Sequence, residues 1–394
     1  MRSNSSTPVA VVLPCWLMTN HHLTTCREWK YNSRIHYTKT GDGGVPVLLL
    51  TGFGVGGVHY ERNVADLAAT GHTVFTMDIL GQGKSWPVSD PAPGGGFEEP
   101  GFQWGFGPDA DSAAGDLNYS CSIWADQVVD FLEQIVGLGP VHIAGNSLGG
   151  YLAVMVASRR PDLVKGLFLM NATPFWGVGV QRILPWTGGY PVPGWVRPLS
   201  ITWWDTIRSQ TTIRQILGGV YANKERVGDS LIHQIIEPTE APAAASAFAS
   251  ILCSPSSPRP FKDMLRDLRE NATPVAMAYG AEDPWIVPVW GYRAKRSLPD
   301  AQYWEVSPAG HCPHHEAPEA INLLMKQWVA ATESGDYAAL GALVPRTVAM
   351  DPAFGGQGGT LRIIEVDGRP RSPTEYVDDL MHRLRGVLES SFPG

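Results

Sequence analysis

Short apolar runs alternate with segments of helical periodicity along most of this chain. Alternating polar and apolar positions at residues 26–31 and 34–39 predict a hairpin of two edge strands. Six continuous apolar runs predict strands that are buried on both faces, as strands of a parallel sheet are. These runs span residues 45–50, 72–77, 141–144, 164–170, 274–279 and 301–306. The pattern predicts an α/β fold whose mostly parallel eight-stranded sheet carries helices on both faces.

The alternation stops between residues 174 and 260, where prolines and tryptophans crowd a partly helical segment. An insertion of this size after a strand predicts a largely helical cap over the carboxyl edge of the sheet. A capping box at Ser372 and Glu375, with Pro373 at the first helical position, predicts an amphipathic helix near the end of the chain. The predicted divisions are an N-terminal segment 1–25, a first core part 26–173, the cap 174–260, a second core part 261–332 and a C-terminal extension 333–394 that carries this helix.

The composition narrows the classes of function. A formal net charge of −8 argues against nucleic-acid binding, because no basic stripe could neutralise phosphates. No apolar run reaches the length of about 18 residues that a membrane-spanning helix needs. The short apolar segment 8–18 is compatible with a first strand, an interfacial anchor or the remnant of a targeting segment. Fourteen tryptophans, several of them clustered, indicate contact with large apolar surfaces.

A Gly-x-Ser-x-Gly motif, centred on Ser147, lies between the buried run 141–144 and a helical run. This context is typical of a nucleophile elbow, in which glycines at positions 145 and 149 let the backbone turn sharply. The turn would leave the Ser147 hydroxyl exposed at the carboxyl edge of the sheet. The alternative is an ordinary glycine-rich turn in which Ser147 only caps the following helix. We favour the elbow and predict that Ser147 is a catalytic nucleophile.

The partners that a nucleophilic serine needs follow it in the chain. Asp283 comes after the next-to-last predicted strand and His311 after the last, and the order Ser, Asp, His is that of the α/β-hydrolase fold. His311 would take the serine proton, and Asp283 would orient the imidazole. Glu282 is the rival acid, disfavoured because the shorter Asp283 before a proline suits a fixed loop position. Asp78 precedes Ser147 and is expected only to hold its own loop.

Two backbone N–H groups are candidates for an oxyanion hole. Leu148 follows the nucleophile at the start of a helix, where N–H groups have no intrahelical partner. Phe53 lies in the glycine-rich loop 51–57, which follows the strand 45–50 and lets the backbone approach a ligand closely. We predict that these two N–H groups stabilise the oxyanion.

A histidine-rich stretch around His311 also permits a metal site. His311, His314, His315 and Glu316 supply ligand types that zinc accepts. This interpretation is disfavoured because His311 is already assigned as a base and consecutive histidines diverge in direction. His314 and His315 are expected at the rim or the surface. We expect neither a metal nor another cofactor.

Aromatic residues in the cap and in nearby loops are candidates for substrate contacts, because an apolar ceiling over the site would hold an apolar ligand. The alternative is that they only pack the cap on the core. The candidates are Trp104, Phe175, Trp176, Trp203, Trp204 and Trp285.

Several strings, most of them longer than a generic hydrolase motif, resemble the pheophytinase family of plants and algae. The similarity covers roughly residues 26–329 and is carried by the strings at 104–107, 145–151, 163–166, 171–177, 243–251, 282–285, 288–291 and 307–314. The resemblance implies a chloroplast serine esterase that removes phytol from magnesium-free chlorophyll. It departs at both ends: the extension past Thr332 has no recognised counterpart, and the start lacks a long Ser/Arg-rich transit peptide.

The resemblance also implies partners and leaves rivals open. The substrate would be an apolar tetrapyrrole ester, pheophytin or chlorophyll, and the protein could contact the thylakoid membrane or pigment–protein complexes peripherally. A chlorophyll dephytylase, or an esterase for other apolar esters, is the nearer alternative. A non-catalytic ligand-binding protein of the same fold is the more distant one.

Overall fold

One mixed sheet of twelve strands runs through the part of the chain that this computed structural model describes. The described residues are 18–19, 22–87, 104–106, 117, 119–176, 192–257, 259–356 and 358–366. The strands are β1 (Met18–Thr19), β2 (His22–Trp29), β3 (Ser33–Thr40), β4 (Pro46–Leu50), β5 (Thr73–Met77), β6 (Trp86–Pro87), β7 (Val141–Asn146), β8 (Val164–Met170), β9 (Val275–Gly280), β10 (Gln302–Ser307), β11 (Thr347–Met350) and β12 (Gly359–Glu365).

The central six strands are parallel and confirm the predicted type of sheet. Along the sheet the order is β1-β2-β3-β5-β4-β7-β8-β9-β10-β12-β11, and β6 pairs with β3. The parallel strands are, in spatial order, β5, β4, β7, β8, β9 and β10. All other pairs are antiparallel among the described residues. Because parallel strands end at the same edge, the loops after β4, β7, β8, β9 and β10 converge there.

Eight of the twelve strands correspond to predicted ones, and the predicted number was too small. Strands β1 and β6 have two residues each, too short to leave a pattern. Strands β11 and β12 lie in the predicted C-terminal extension, where only Leu361 and Ile363 of β12 are buried. A strand with two buried positions gives little periodicity, which is why the sequence did not reveal it. The helix predicted from Ser372 lies outside the described residues.

Helices cover both faces of the sheet. They are α1 (Glu61–Ala68), α2 (Cys121–Phe131), α3 (Leu148–Arg159), α4 (Arg197–Ile207), α5 (Gln210–Val220), α6 (Asp229–Ile236), α7 (Ala244–Leu252), α8 (Phe261–Glu270), α9 (Val289–Ser297), α10 (Pro313–Glu316), α11 (Pro318–Ser334) and α12 (Ala338–Leu343). Leu48 and Leu50 of β4 pack in one apolar cluster with α2, α3, α8 and α9. Val47 and Leu49 pack in another with α1 and α11. Successive side chains of a strand point to opposite faces, so β4 feeds both clusters.

Helices α4 to α7 fill the chain between β8 and α8, where the strand pattern stops. Helices α5 and α6 share an apolar cluster that includes Leu217 and Ile232. Helices α4 and α7 share another, built around Trp204 and Trp104. The assignment of residues 174–260 as a cap stays a prediction. Within the described residues, no helix has both the length and the apolar character that crossing a membrane requires.

Candidate active site

Ser147 lies on a sharp turn between β7 and α3. Its backbone has φ 52° and ψ −116°, and its N–H donates to the carbonyl of Met170 at 3.0 Å. A Cβ on Gly149 would lie 2.2 Å from the carbonyl oxygen of Leu50, and one on Gly145 would lie 2.5 Å from Gly149. Any side chain at these two positions would therefore collide with backbone. The two glycines allow the strained turn that holds Ser147 at the carboxyl edge.

His311 follows β10 and is anchored beside the turn that carries Ser147. Its N–H donates to the carbonyl of Val220 at 3.0 Å, and its own carbonyl accepts from Asn146 Nδ2 at 2.9 Å. Asn146 directly precedes Ser147, so one side chain ties the two loops together. The His311 side chain is 7% exposed.

Asp283 is the carboxylate that contacts His311. Its Oδ2 lies 2.7 Å from His311 Nδ1, and its Oδ1 accepts the N–H groups of Trp285 at 2.7 Å and Ile286 at 3.0 Å. Asn171 Nδ2 donates to Oδ2 at 2.6 Å. With four donors the buried carboxylate is well satisfied as an anion. An ionised Asp283 can only accept, so His311 carries its proton on Nδ1 and leaves Nε2 able to take another.

Glu282, the rival acid, is committed elsewhere. Its carboxylate accepts from Ser307 Oγ at 2.6 Å and from the N–H of Ala309 at 2.8 Å. These contacts fix the loop after β10. Of the two neighbouring acids, Asp283 is therefore the one placed to orient His311.

Asn171 is a site residue that sequence reasoning missed. It follows β8 with φ 42° and is fully buried. Its Oδ1 accepts the N–H of Gly280 at 2.8 Å while its Nδ2 donates to Asp283. The side chain thus joins the ends of β8 and β9 and orients the acid. The available signal was a polar residue directly after a buried strand, next to the strand that carries the acid.

The predicted oxyanion groups lie on two loops that meet at Ser147. Leu148 is the first residue of α3, where the N–H has no intrahelical acceptor. A Cβ on Gly52 would lie 3.2 Å from the Cβ of Ser147, which brings the neighbouring Phe53 backbone to the nucleophile. Gln82, a second residue missed in the sequence, accepts the N–H of Gly54 and so braces this loop.

An apolar groove adjoins the Phe53 loop. Its apolar walls come from Phe53, helices α4 to α7 and the loop after β5. The aromatic and aliphatic lining residues include Phe53, Trp86, Trp204, Ile207, Ile213, Ile235, Phe248 and Ile251. The rings of Phe53 and Phe248 stack with centroids 5.5 Å apart, and Phe53 follows Gly52, which lies against Ser147.

The six aromatic candidates occupy different places. Trp204 lines the groove, and Trp176 packs its ring 5.3 Å from that of Phe53. The ring of Trp285, 57% exposed, lies 5.1 Å from the ring of His311. Of the six, only Trp204 lines the groove. Trp104 is buried beside Trp204, Phe175 is exposed beside Trp290, and Trp203 is exposed on α4.

His314 and His315 are fully buried, so the expectation that they lie at the rim or the surface was wrong. Residues 313–316 form α10, which packs against α1 and the turn before it. There His314 Nε2 lies 3.1 Å from His59 Nδ1, and the ring of His315 stacks on that of His59. Burial lowers the pKa of His59 and of His314 well below the usual value, so these rings are neutral. Among the described residues no group of three or more His, Cys, Asp or Glu could hold a metal ion.

Comparisons with known proteins show the family and the fold. The model of the Alpha/beta hydrolase family matches residues 47–322. The chain is 42% identical over 328 residues to "Pheophytinase, chloroplastic" of Arabidopsis thaliana, an alignment that covers 79% of this chain and 67% of that one. It is 25% identical over 307 residues to a 2-hydroxy-6-oxononadienedioate/2-hydroxy-6-oxononatrienedioate hydrolase of Pseudomonas putida, with 76% and 92% covered.

Solved structures show the same fold at lower identity. A serine hydrolase involved in carbazole degradation (CarC) superposes with a TM-score of 0.55 at 17% identity, over 78% of this chain and 99% of that one. A thermophilic esterase from Thermogutta terrifontis superposes with a TM-score of 0.53 at 20% identity, over 76% and 94%. At such identities these likenesses establish the fold alone.

Proposed function

This chain belongs to the alpha/beta hydrolase family, and from that premise we propose that it is a serine esterase whose nucleophile is Ser147. The observation that carries the proposal is the 2.7 Å contact between His311 Nδ1 and Asp283 Oδ2 beside the strained turn at Ser147. A buried acid that orients a histidine next to such a turn supplies the base that a serine hydroxyl needs.

The proposed reaction has two steps. In the first, Ser147 Oγ attacks the ester carbonyl, His311 Nε2 takes the hydroxyl proton, and the N–H groups of Phe53 and Leu148 stabilise the oxyanion. The carbon–oxygen bond to the alcohol then breaks, and His311 returns the proton to the leaving alcohol. In the second step, His311 deprotonates a water that attacks the acyl-enzyme. The carboxylic acid product leaves, and His311 returns the proton to Ser147 Oγ. Asp283 stabilises the imidazolium in both steps.

We propose the phytyl ester of pheophytin as the substrate, with phytol and pheophorbide as products. The 42% identity to a chloroplastic pheophytinase supports this choice of ester. The apolar groove supports it too, because a long isoprenoid alcohol or a flat macrocycle needs apolar walls. Trp204, Trp176 and Trp285 are the aromatic residues nearest to the groove and the base, and we propose them as substrate contacts. Phe175, Trp203 and Trp104 could contact only parts of a ligand that extend beyond the groove.

The same reasoning suggests where the protein acts. The name of the Arabidopsis relative supports a chloroplast location for this chain. Exposed Trp203 and Leu199 on α4, with Trp195 just before it, form a stripe at intervals of four residues. Indole rings favour membrane interfaces, so this stripe supports peripheral contact with the thylakoid membrane or a pigment–protein complex. We further propose that residues 174–260 act as the cap over the groove.

The proposal is tested by hydrolysis of pheophytin a and chlorophyll a in detergent, side by side, with the protein and its Ser147→Ala variant. We expect release of pheophorbide by the protein and a loss of about 10⁴-fold or more in the variant. Comparable release of chlorophyllide would instead identify a broader dephytylase. If neither pigment is hydrolysed but a fluorophosphonate labels Ser147 rapidly, the serine esterase proposal stands and the pigment substrate is wrong. No labelling and no turnover of any ester would leave a non-catalytic binding protein.

A further inference from the structure

Glu316 is a buried carboxylate that binds the backbone on both sides of His311. Its two oxygens accept the N–H groups on both sides of His311, those of Gly310 at 3.0 Å and of Cys312 at 3.2 Å. They also accept the N–H groups of Ala222 at 2.7 Å and Asn223 at 3.2 Å. We refer to residues 308–312 as the base loop and to residues 220–223 as the α5 junction. One carboxylate therefore holds these two segments together through four backbone donors.

Further hydrogen bonds join the same two segments. The N–H of His311 donates to the carbonyl of Val220, the last residue of α5, at 3.0 Å. The side chain of Asn223 donates to the carbonyl of Pro308 at 2.7 Å. A Cβ on Gly310 would lie 2.2 Å from the Val220 oxygen, so the two backbones are in close contact. The base loop is thus anchored to the end of a cap helix.

The helix that ends at this junction also reaches the groove. Ile213 of α5 lines the groove, seven residues before Val220. A rigid helix connects the two positions, so the surface that would contact substrate and the clamp on the base loop belong to one element. We propose that Glu316 is a positioning residue, which fixes His311 for catalysis by binding the base loop to the α5 junction. This inference rests on the proposed esterase activity.

The surroundings of Glu316 make its charge sensitive to pH. Burial raises the pKa of Glu316 to about 7, against the opposing effect of the four N–H donors. The titratable groups that face it are the Tyr221 hydroxyl and the Cys312 thiol, and burial raises the pKa of both well above the usual values. Both stay neutral near pH 7. The nearby cation Arg62 donates to the carbonyls of His315 and Arg226. Protonation would therefore weaken the clamp by removing acceptor capacity that no neighbouring group replaces.

The test compares Glu316→Gln with Glu319→Gln in the full chain, with p-nitrophenyl butyrate and pheophytin a as substrates. Glu319 makes a matched control, because its partly buried carboxylate accepts from Arg226 and from the N–H of Asp351 but does not touch the base loop. We expect Glu316→Gln to lower kcat by roughly 10- to 100-fold on both substrates, since misplacing a base by about 1 Å costs that much. KM should change by less than about threefold, because the groove is intact.

The pH profile separates positioning from a merely structural role. In the unmodified protein the acid limb of kcat should be steeper than in Glu316→Gln, because protonation of Glu316 weakens its hold on the base loop. Glu316→Gln lacks this titrating group, so its acid limb should be shallower. If Glu316→Gln has the melting temperature of Glu319→Gln and keeps the kcat and pH profile of the unmodified protein, the inference is wrong. The proposed esterase activity would be unaffected by that result. If Glu316→Gln does not fold, Glu316→Asp decides, because the shorter carboxylate is withdrawn from the base loop and the α5 junction: a lowered kcat with little change in KM supports the clamp, and an unchanged kcat overturns it. Hydrolysis that survives Ser147→Ala would remove both proposals.

Discussion

The histidines near the candidate site form two groups, His311 alone and the cluster of His59, His314 and His315, and only His311 contacts a buried carboxylate at hydrogen-bond distance. His311 faces a carboxylate, Asp283, at 2.7 Å, and its ring contacts the exposed indole of Trp285. Four donors hold the Asp283 carboxylate in place beside the imidazole. This histidine has both an anchored carboxylate partner and an exposed aromatic neighbour.

The second group consists of His59, His314 and His315, whose rings pack together where α10 meets the turn before α1. Its contacts are mainly with other rings and with Tyr221, whose hydroxyl lies 3.0 Å from His59 Nε2. Burial lowers the pKa of each of the three, so they stay neutral. Glu61 is the acid near His315, at 3.8 Å. A cluster of histidines alone therefore does not predict a base, whereas a histidine that contacts an anchored carboxylate does.

The largest test of this comparison is Asp283→Asn. Removing the negative charge should lower kcat by about 10⁴-fold, because the amide favours the wrong histidine tautomer and cannot stabilise the imidazolium. Glu282→Gln is the neighbouring control, and we expect it to keep kcat within about tenfold, because Glu282 only fixes the loop through Ser307 and Ala309. Steady-state kinetics of both variants on one soluble ester decides. The reverse order of effects would show that the acids had been assigned wrongly.

The next test compares two buried asparagines. Asn171 contacts the acid partner of His311, and Asn63 contacts the backbone of His314. Asn171→Ala removes a donor to Asp283 and should lower kcat by about 10- to 100-fold, as expected when a hydrogen bond to a charged group is lost. Asn63 is the counterpart beside the second group, where its Nδ2 donates to the carbonyl of His314 and to Asn322. Asn63→Ala should cost about 1–3 kcal/mol of unfolding free energy and change kcat by less than about threefold. Equal effects on kcat would contradict the separation of the two groups.

The sequence predicted the features that depend on short stretches of chain. Buried strands, the turn at Ser147 and the order of Asp283 and His311 follow from local patterns and from the rule that parallel strands end at one edge. Asp78 was expected to hold its loop, and its carboxylate accepts the N–H groups of Gly57 and Lys84.

Features that depend on contacts between distant loops escaped prediction. Asn171 orients an acid 112 residues away, and Glu316 binds a segment 94 residues before it. Neither contact has a spacing that a sequence could reveal. The burial of His314 and His315 depends on how α10 packs against α1, which is also a property of the assembled fold.

A smaller effect concerns the stability of the second group. His59→Leu should lower the unfolding free energy by about 1–3 kcal/mol at pH 7.5, because Tyr221 and His314 lose a buried partner. The pKa of folded His59 is lowered, so the unfolded chain binds more protons below about pH 6.5 and stability declines as the pH falls. Removing one such histidine should make that decline shallower by up to about 1.4 kcal/mol per pH unit. Urea unfolding at pH 7.5 and 5.5 measures both, with the exposed His233→Leu as control, and an unchanged slope would contradict the neutral state of His59.

The smallest expected effect comes from Trp285→Ala, which removes the exposed indole beside the His311 ring. The exposed indole lies against the His311 ring, while its backbone N–H holds Asp283, so the substitution removes the ring and keeps the hydrogen bond. An aromatic contact contributes about 0.5–1.5 kcal/mol, which corresponds to a fall in kcat/KM of about 2- to 12-fold. The fall should be larger for a pigment ester, whose flat ring can stack on the indole, than for p-nitrophenyl butyrate. Trp195→Ala, which removes another exposed indole, should not discriminate between the two esters. If Trp285→Ala lowers turnover of both substrates equally, the indole supports the histidine and does not bind the pigment.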